Sequence, residues 1–288
     1  PTTFEIIADS DNHTTLEQVL KDTELDQVLN DGNFTVFAPT DAAFEQAKLS
    51  GLSDDELKNV LLNHVVNGTA TSSDLSNTYL NTEATESFTG DGNKLSLLVN
   101  VDNGVTLNGS ASVTAADLTA SNGVVHVTDA VILPPDLTTF AANDPQLSTL
   151  LSALTRDDQV DQNYVNTLAT PADADPAPFT VFAPTNDAFA GVLNDLDVNS
   201  LADIEGPTLT SALNFHVVPG ANVTASGLVT GPVTTLEGDV TVDADNATIT
   251  DANGRVSTIT TTDVQTTNGV IHLIDKVILP EIPDLGGN

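Results

Sequence analysis

The chain says the same thing twice, and that constrains its fold more than any other feature. Phe34-Thr35-Val36-Phe37-Ala38-Pro39-Thr40 returns unchanged as Phe179-Thr180-Val181-Phe182-Ala183-Pro184-Thr185, 145 residues later. A second block, Asn122-Gly123-Val124-Val125-His126-Val127-Thr128-Asp129-Ala130-Val131-Ile132-Leu133-Pro134, returns from Asn268 to Pro280 with nine of thirteen positions identical. Between them, Leu61-Leu62-Asn63-His64-Val65-Val66 is echoed by Leu213-Asn214-Phe215-His216-Val217-Val218, with the histidines in register. Three markers in the same order define two copies of one domain, because solenoid repeats recur every 20–50 residues or so. The boundaries are expected at 1–135 and 136–288, joined through the stiff Pro134-Pro135 pair. Each copy is long enough to bury about two thirds of its unfolded surface. Any site in one copy can be tested against the other.

These blocks carry a family resemblance. The Phe34 block resembles the opening motif of the fasciclin (FAS1) family, and the Asn122 block resembles its closing motif. The central histidine falls where that family often has Tyr-His. The resemblance spans nearly the whole chain. It implies an α+β class: two copies of a fasciclin-type domain, each a β-sandwich or wedge flanked by short helices, used in extracellular adhesion and matrix contacts. It also places an adhesive motif at the central pair, which is Asn63-His64 in the first copy and Phe215-His216 in the second. The family tyrosine is absent from both. Because exposed aromatic side chains supply much contact energy, the second copy is the better candidate for binding. The alternative is that Phe215, one step off the Leu209–Leu213–Val217 stripe, packs against a strand. The implied partners are other cell-surface or matrix components, with carbohydrate or a second copy of the chain as further options.

Charge is the second constraint. Forty-one acidic residues face seven basic ones, giving −34 at pH 7. The excess is shared: 20 acids against 4 bases in the first copy, 21 against 3 in the second. An even spread argues against an acidic tail or one cation site. Such a chain repels itself in dilute buffer and becomes tolerable where the Debye length shrinks to about 3 Å near 1 M salt. Asp-rich, Lys-poor composition is the surface expected of a halophile, here an archaeon by expectation. With no basic patch, neither nucleic acid nor an anionic lipid surface is a partner. No apolar run reaches the length of a membrane span. The absence of cysteine removes disulfides, thiolate nucleophiles and cysteine metal sites. A start at Pro1 is what an exported chain with its leader removed would show.

Local patterns give a coarse plan. Thr14 to Glu17 reads as a capping box opening a helix with Leu16, Val19 and Leu20. A short helix holds Leu25, Val28 and Leu29 and stops at Gly32. The Phe34 block alternates as a strand ending at Pro39, after which Thr40 caps a helix carrying Ala43, Phe44 and Ala47. Ser53 to Glu56 opens a helix with Leu57, Val60, Leu61, His64 and Val65 on one face. From about Ser87 to Pro134, and from Val229 to Leu279, short strands alternate with turns, among them Asp91-Gly92, Asn103-Gly104, Asn108-Gly109 and Asn122-Gly123. In the second copy a first helix carries Leu147, Leu150, Leu151 and Leu154, and Pro207 opens another with Leu209, Leu213, His216 and Val217. The extra segment from Thr170 to Pro178 reads as a solvated loop.

Candidate chemistry is sparse. Four of the five histidines pair through the repeat, His64 with His216 and His126 with His272. A recurring pair invites a metal or acid–base site, but positions in apolar stripes and strands favour neutral, hydrogen-bonded histidines. Asp129 and Asp275 are expected to accept local hydrogen bonds. No Gly-x-Ser-x-Gly elbow, Ser-x-x-Lys pair or phosphate loop exists, so no enzymatic activity, cofactor or metal is expected. Acids from Asp239 to Asn246 and from Asp251 to Gly254 resemble cation loops without the EF-hand spacing and also read as a strand with two turns. Six Asn-x-Ser/Thr sequons, at Asn12, Asn33, Asn67, Asn108, Asn222 and Asn246, are possible glycan acceptors. The function expected is adhesion by binding in high salt, at the cell surface or in a biofilm matrix. The alternatives are a self-assembling filament or surface-layer subunit and a cation- or carbohydrate-binding module.

Overall fold

The two most repeated segments are neighbours in space. In the computed structural model of the chain, which describes residues 1–159 and 163–282, the Phe34 block forms β1 (Phe34–Pro39) and the Asn122 block supplies β7 (Gly123–Thr128). They pair in parallel, with Phe37 opposite His126. A parallel pair is covered on both faces and therefore reads as a nearly continuous apolar run. That is why β1 is buried from Thr35 to Pro39 instead of alternating.

Around this pair the first unit, Pro1–Pro135, arranges α1 (Thr3–Ala8), α2 (Thr14–Asp22), α3 (Leu25–Asp31), α4 (Asp41–Ala47) and α5 (Asp54–Leu62). Its remaining strands are β2 (Val65–Asn67), β3 (Thr78–Thr85), β4 (Lys94–Asn100), β5 (Thr106–Leu107) and β6 (Ala111–Ala120). The sheet closes into a barrel in the order β1 to β7, with β7 back on β1. Val36, Ala38 and Val125 face the helices, packed with Ile7, Leu16, Leu20, Leu29 and Leu61. Phe37 points the other way, into the barrel with Leu97, Val99, Leu107 and Ile132. Burying a phenylalanine this completely contributes about 1.5–3 kcal/mol.

The second unit, Asp136–Asn288, repeats the plan. Its helices are α6 (Leu137–Asn143), α7 (Ser148–Leu154), α8 (Tyr164–Leu168), α9 (Asn186–Asp195) and α10 (Gly206–Asn214). Its strands are β8 (Phe179–Pro184), β9 (Val217–Pro219), β10 (Gly231–Thr234), β11 (Asp239–Asp243), β12 (Thr248–Thr250), β13 (Val256–Gln265) and β14 (Gly269–Ile274). Here β14 pairs in parallel with β8. The sheet runs β10-β11-β12-β13-β14-β8-β9 and does not close. Thus the expected α+β pair is present, but only the first copy has its sheet joined edge to edge.

Several local expectations are corrected by tertiary contacts. Helix α2 is not capped by its own Thr14. The carboxylate of Asp41, brought from α4, accepts the N–H groups of Thr14 at 3.3 Å and Thr15 at 2.7 Å. Helices α1 and α6 are additional to those the sequence pattern marks; α1 opens with a capping box of Thr2 and Glu5. Helices α5 and α10 end at Leu62 and Asn214, so His64 and His216 lie beyond them, and Val65 and Val217 begin strands. Strand structure starts at Val65, well before Ser87, because β3 is largely polar and half-exposed and lacks the apolar alternation that marks a strand. Asn122-Gly123 is not the centre of a turn, since Ala120 pairs with Gly123 and the turn is Ser121-Asn122. The Thr170–Pro178 loop is tied down: Gly220 N–H donates to Pro176 C=O and Ala221 N–H to Pro178 C=O. Thr40 and Ser53 cap their helices as expected.

Candidate functional site

The repeated polar residues are consumed by the fold. His64 is 2% exposed, and its Nδ1–H donates to Val60 C=O at 2.8 Å while Nε2 accepts Ile132 N–H at 2.8 Å. His216 repeats the arrangement with Ala212 C=O at 2.7 Å and Ile278 N–H at 2.9 Å. A ring that donates through one nitrogen and accepts through the other is neutral. Burial pushes both histidines down to about 4. The strand histidines use the opposite tautomer. His126 Nε2–H donates to Ala70 C=O and Nδ1 accepts Asp117 N–H; His272 does the same with Val223 C=O and Asp263 N–H. Asp117 and Asp263 are the left-handed residues (φ 63° and 60°) in the irregular stretches of β6 and β13, so each histidine holds a bulge in place. Their rings stack on Phe37 and Phe182 at 5.5 and 5.9 Å.

The Asn-Gly pair has equally specific work. Asn122 Nδ2 donates to Leu29 C=O and Gly32 C=O, the open end of α3, and its Oδ1 accepts Thr3 N–H at the start of α1. Asn268 serves Leu168, Thr170 and Leu137 in the same way. A Cβ on Gly123 would lie 1.9 Å from Phe34 O, and one on Gly269 would lie 2.3 Å from Phe179 O. Sequence reasoning missed this role: the glycines allow close strand approach and are not turn residues. Asp129 and Asp275 accept Ser112 N–H and Thr258 N–H.

The central pair is not an exposed surface. Asn63, His64, Phe215 and His216 are 0, 2, 9 and 2% exposed. Asn63 donates to Ile132 C=O. Phe215 belongs to the core of the second sheet with Phe182, Val240 and Ile274, and its ring sits 3.4 Å from where a Cβ on Gly238 would be. The expectation of an accessible contact aromatic is thereby corrected, since the chain turns from α10 into β9 at this point and directs the ring inward.

Among the sequons, Asn12, Asn33, Asn67 and Asn246 are exposed. Asn108 is not an available acceptor, because it is 3% exposed and its Oδ1 accepts Leu98 N–H within the barrel. Asn222 is half-buried and its amide exchanges two hydrogen bonds with Gln265. The acidic stretch is β11 followed by a turn in which Asp243 accepts Asn246 N–H. Asp251, nearly buried, accepts from Arg255 and from Leu279 N–H, while Arg255 also reaches Asp195 and Val277 C=O. Among the described residues no three His, Asp or Glu side chains converge as metal ligands.

What differs between the copies is the seam between the second and third strands. In the first copy Val66 pairs with Thr82, and the Thr78–Thr85 strand reaches α5, where Asn59 exchanges two bonds with Thr85. In the second copy β10 is four residues long. Its connection to β9 includes Leu236 N–H to Val217 C=O. Beside that bond lies a groove of about 340 Å3, floored by Thr180, Phe182 and Val218 and walled by Leu228, Val229 and Val233.

The fasciclin domain family model matches residues 11–134 and again 145–280. Human periostin is 29% identical over 270 residues, covering 89% of this chain and 29% of periostin. Pig transforming growth factor-beta-induced protein ig-h3 is 30% identical over 262 residues, covering 87% of this chain and 35% of that protein. The chain therefore spans about a third of these two relatives. The Synechocystis protein sll1483 is 38% identical over 144 residues, 49% of this chain and 71% of that protein. The solved FAS1 domain pair of the insect cell adhesion molecule fasciclin I has the same fold, with a TM-score of 0.54 over 93% of this chain and 96% of that one at 18% identity. The chain belongs to the fasciclin domain family and is a tandem pair of its domains.

Proposed function

We propose that this protein is an extracellular adhesion or matrix protein that works by binding in concentrated salt. The observation that carries the reading is the match of both copies to a family whose members include a cell adhesion molecule. The charge supplies the setting: with −34 on the chain, contact with another anionic surface requires screening. The partners are surface or matrix components. Because the repeated histidines, asparagines and glycines are spent on the fold, contact falls to the loops and sheet edges where the copies differ. A halophilic source and glycans on exposed sequons fit this setting.

The test is aggregation of beads coated with the intact protein, with cells or coated beads as targets, from 0.1 to 3 M NaCl. Specific, saturable attachment that strengthens with salt is expected. Beads that stay dispersed and bind no cell at any salt, while the protein remains folded, would remove adhesion from the account.

A further inference from the structure

The open seam of the second copy borders a groove lined mainly by apolar side chains. We infer that this groove takes a small, uncharged, mainly hydrocarbon molecule carrying at most one neutral oxygen. Four observations lead there.

First, the seam beside the groove is open in the second copy and paired in the first. The first copy closes the same seam with the Val66–Thr82 pairing and an eight-residue β3, with Leu75 and Leu80 packed against the barrel core. Second, none of the residues lining the groove is charged. From Gly206 to Leu236 there is not one Asp, Glu, Lys or Arg, in a chain where acids are otherwise spread evenly. Third, the wall is apolar and incompletely covered: Val229 is 74% exposed at the rim, the most exposed of the large apolar side chains described. Leaving that surface bare on an otherwise acidic protein is the pattern of a ligand site.

Fourth, the flanking strands disfavour an added β-strand. Pro219 ends β9 and Pro232 lies within β10, and neither has an N–H for a ladder. The first copy has Asn67 where the second has Pro219. An added strand would therefore lose one ladder donor on each side. A compact molecule fits. The Thr180 hydroxyl is already engaged, donating to Ala221 C=O and accepting Val223 N–H. Thr230, at the rim, accepts Ala244 N–H and keeps a hydroxyl hydrogen to give. That hydrogen suits one ketone, ester or alcohol oxygen. A carboxylate would meet the repulsion of the surrounding acids.

The experiment uses the intact chain with neutral N-phenyl-1-naphthylamine as fluorescent probe and cyclohexanol as competitor, in low salt and in 3 M NaCl. One saturable site per chain is expected, with amide shifts from cyclohexanol confined to the 218–233 region and absent from 66–82. Val229→Glu, at an exposed position, should weaken binding at least about tenfold without changing the melt. Val233→Trp should do the same by filling the groove. The anionic probe 1-anilinonaphthalene-8-sulfonate should bind at least about tenfold more weakly at low salt. No saturable binding to folded wild type, shifts centred elsewhere, or undiminished binding by a folded Val229→Glu protein would overturn the assignment.

Discussion

Ile132 N–H donates to Nε2 of His64 at 2.8 Å, so the imidazole closes the first domain only while that nitrogen is unprotonated. His216 and Ile278 repeat the contact at 2.9 Å. Burial holds both folded values near 4, below the unfolded 6.5. The sign follows. Above pH 6.5 the contribution is complete, and it is lost as pH falls from 6.5 toward 4, where the unfolded chain binds a proton that the folded one refuses. Each domain should lose up to about 3 kcal/mol across that window. Acid also relieves repulsion among carboxylates, so denaturant melts belong in 3 M NaCl. His64→Ala should lower the first domain's stability by about 1–3 kcal/mol and flatten its pH slope. A variant whose pH slope matched wild type would refute the role.

Salt should stabilise both domains. Among the described residues the acids meet few ion-pair partners, such as Lys21–Glu17, Lys94–Glu83 and Arg255–Asp251. Thermal midpoints measured from 0.1 to 3 M NaCl or KCl should rise by more than about ten degrees as repulsion is screened. A flat profile would end the halophilic reading.

Gly123→Ala and Gly269→Ala should each disrupt one domain and spare the other. The new methyl would fall 1.9 or 2.3 Å from a carbonyl oxygen of the neighbouring parallel strand, and Gly123 also has φ 147°. A loss above about 3 kcal/mol in the affected domain is expected, read as a split unfolding transition.

Phe215→Ala should behave as a core truncation and not as the loss of a contact residue. With the ring packed among Phe182, Val240 and Ile274, the expected cost is about 3–5 kcal/mol. If the variant melted like wild type and lost bead attachment, Phe215 would return to the surface as an adhesive residue.

Peptide mapping of protein from a glycosylating host should find any glycan on Asn12, Asn33, Asn67 or Asn246. Asn108 and Asn222 should be bare, because their side chains are held inside the barrel and against Gln265. Stoichiometric glycan on Asn108 would contradict the placement of that turn.

The sequence by itself determined that there are two domains, what family they belong to, and where the local signals are strongest. Thr40 and Ser53 cap helices because a hydroxyl two or three residues from an open N–H acts without help from elsewhere in the chain. Tertiary structure decided whatever depended on a distant partner. Asp41 caps α2 from 26 residues away. β1 is buried on both faces because β7 and the helices come to it from either side. The central pair faces inward, although its spacing left both directions open. The open seam was least legible, because it follows from a strand too short to close its sheet. Its trace in the sequence is an absence of charge, which patterns built on the residues present do not register.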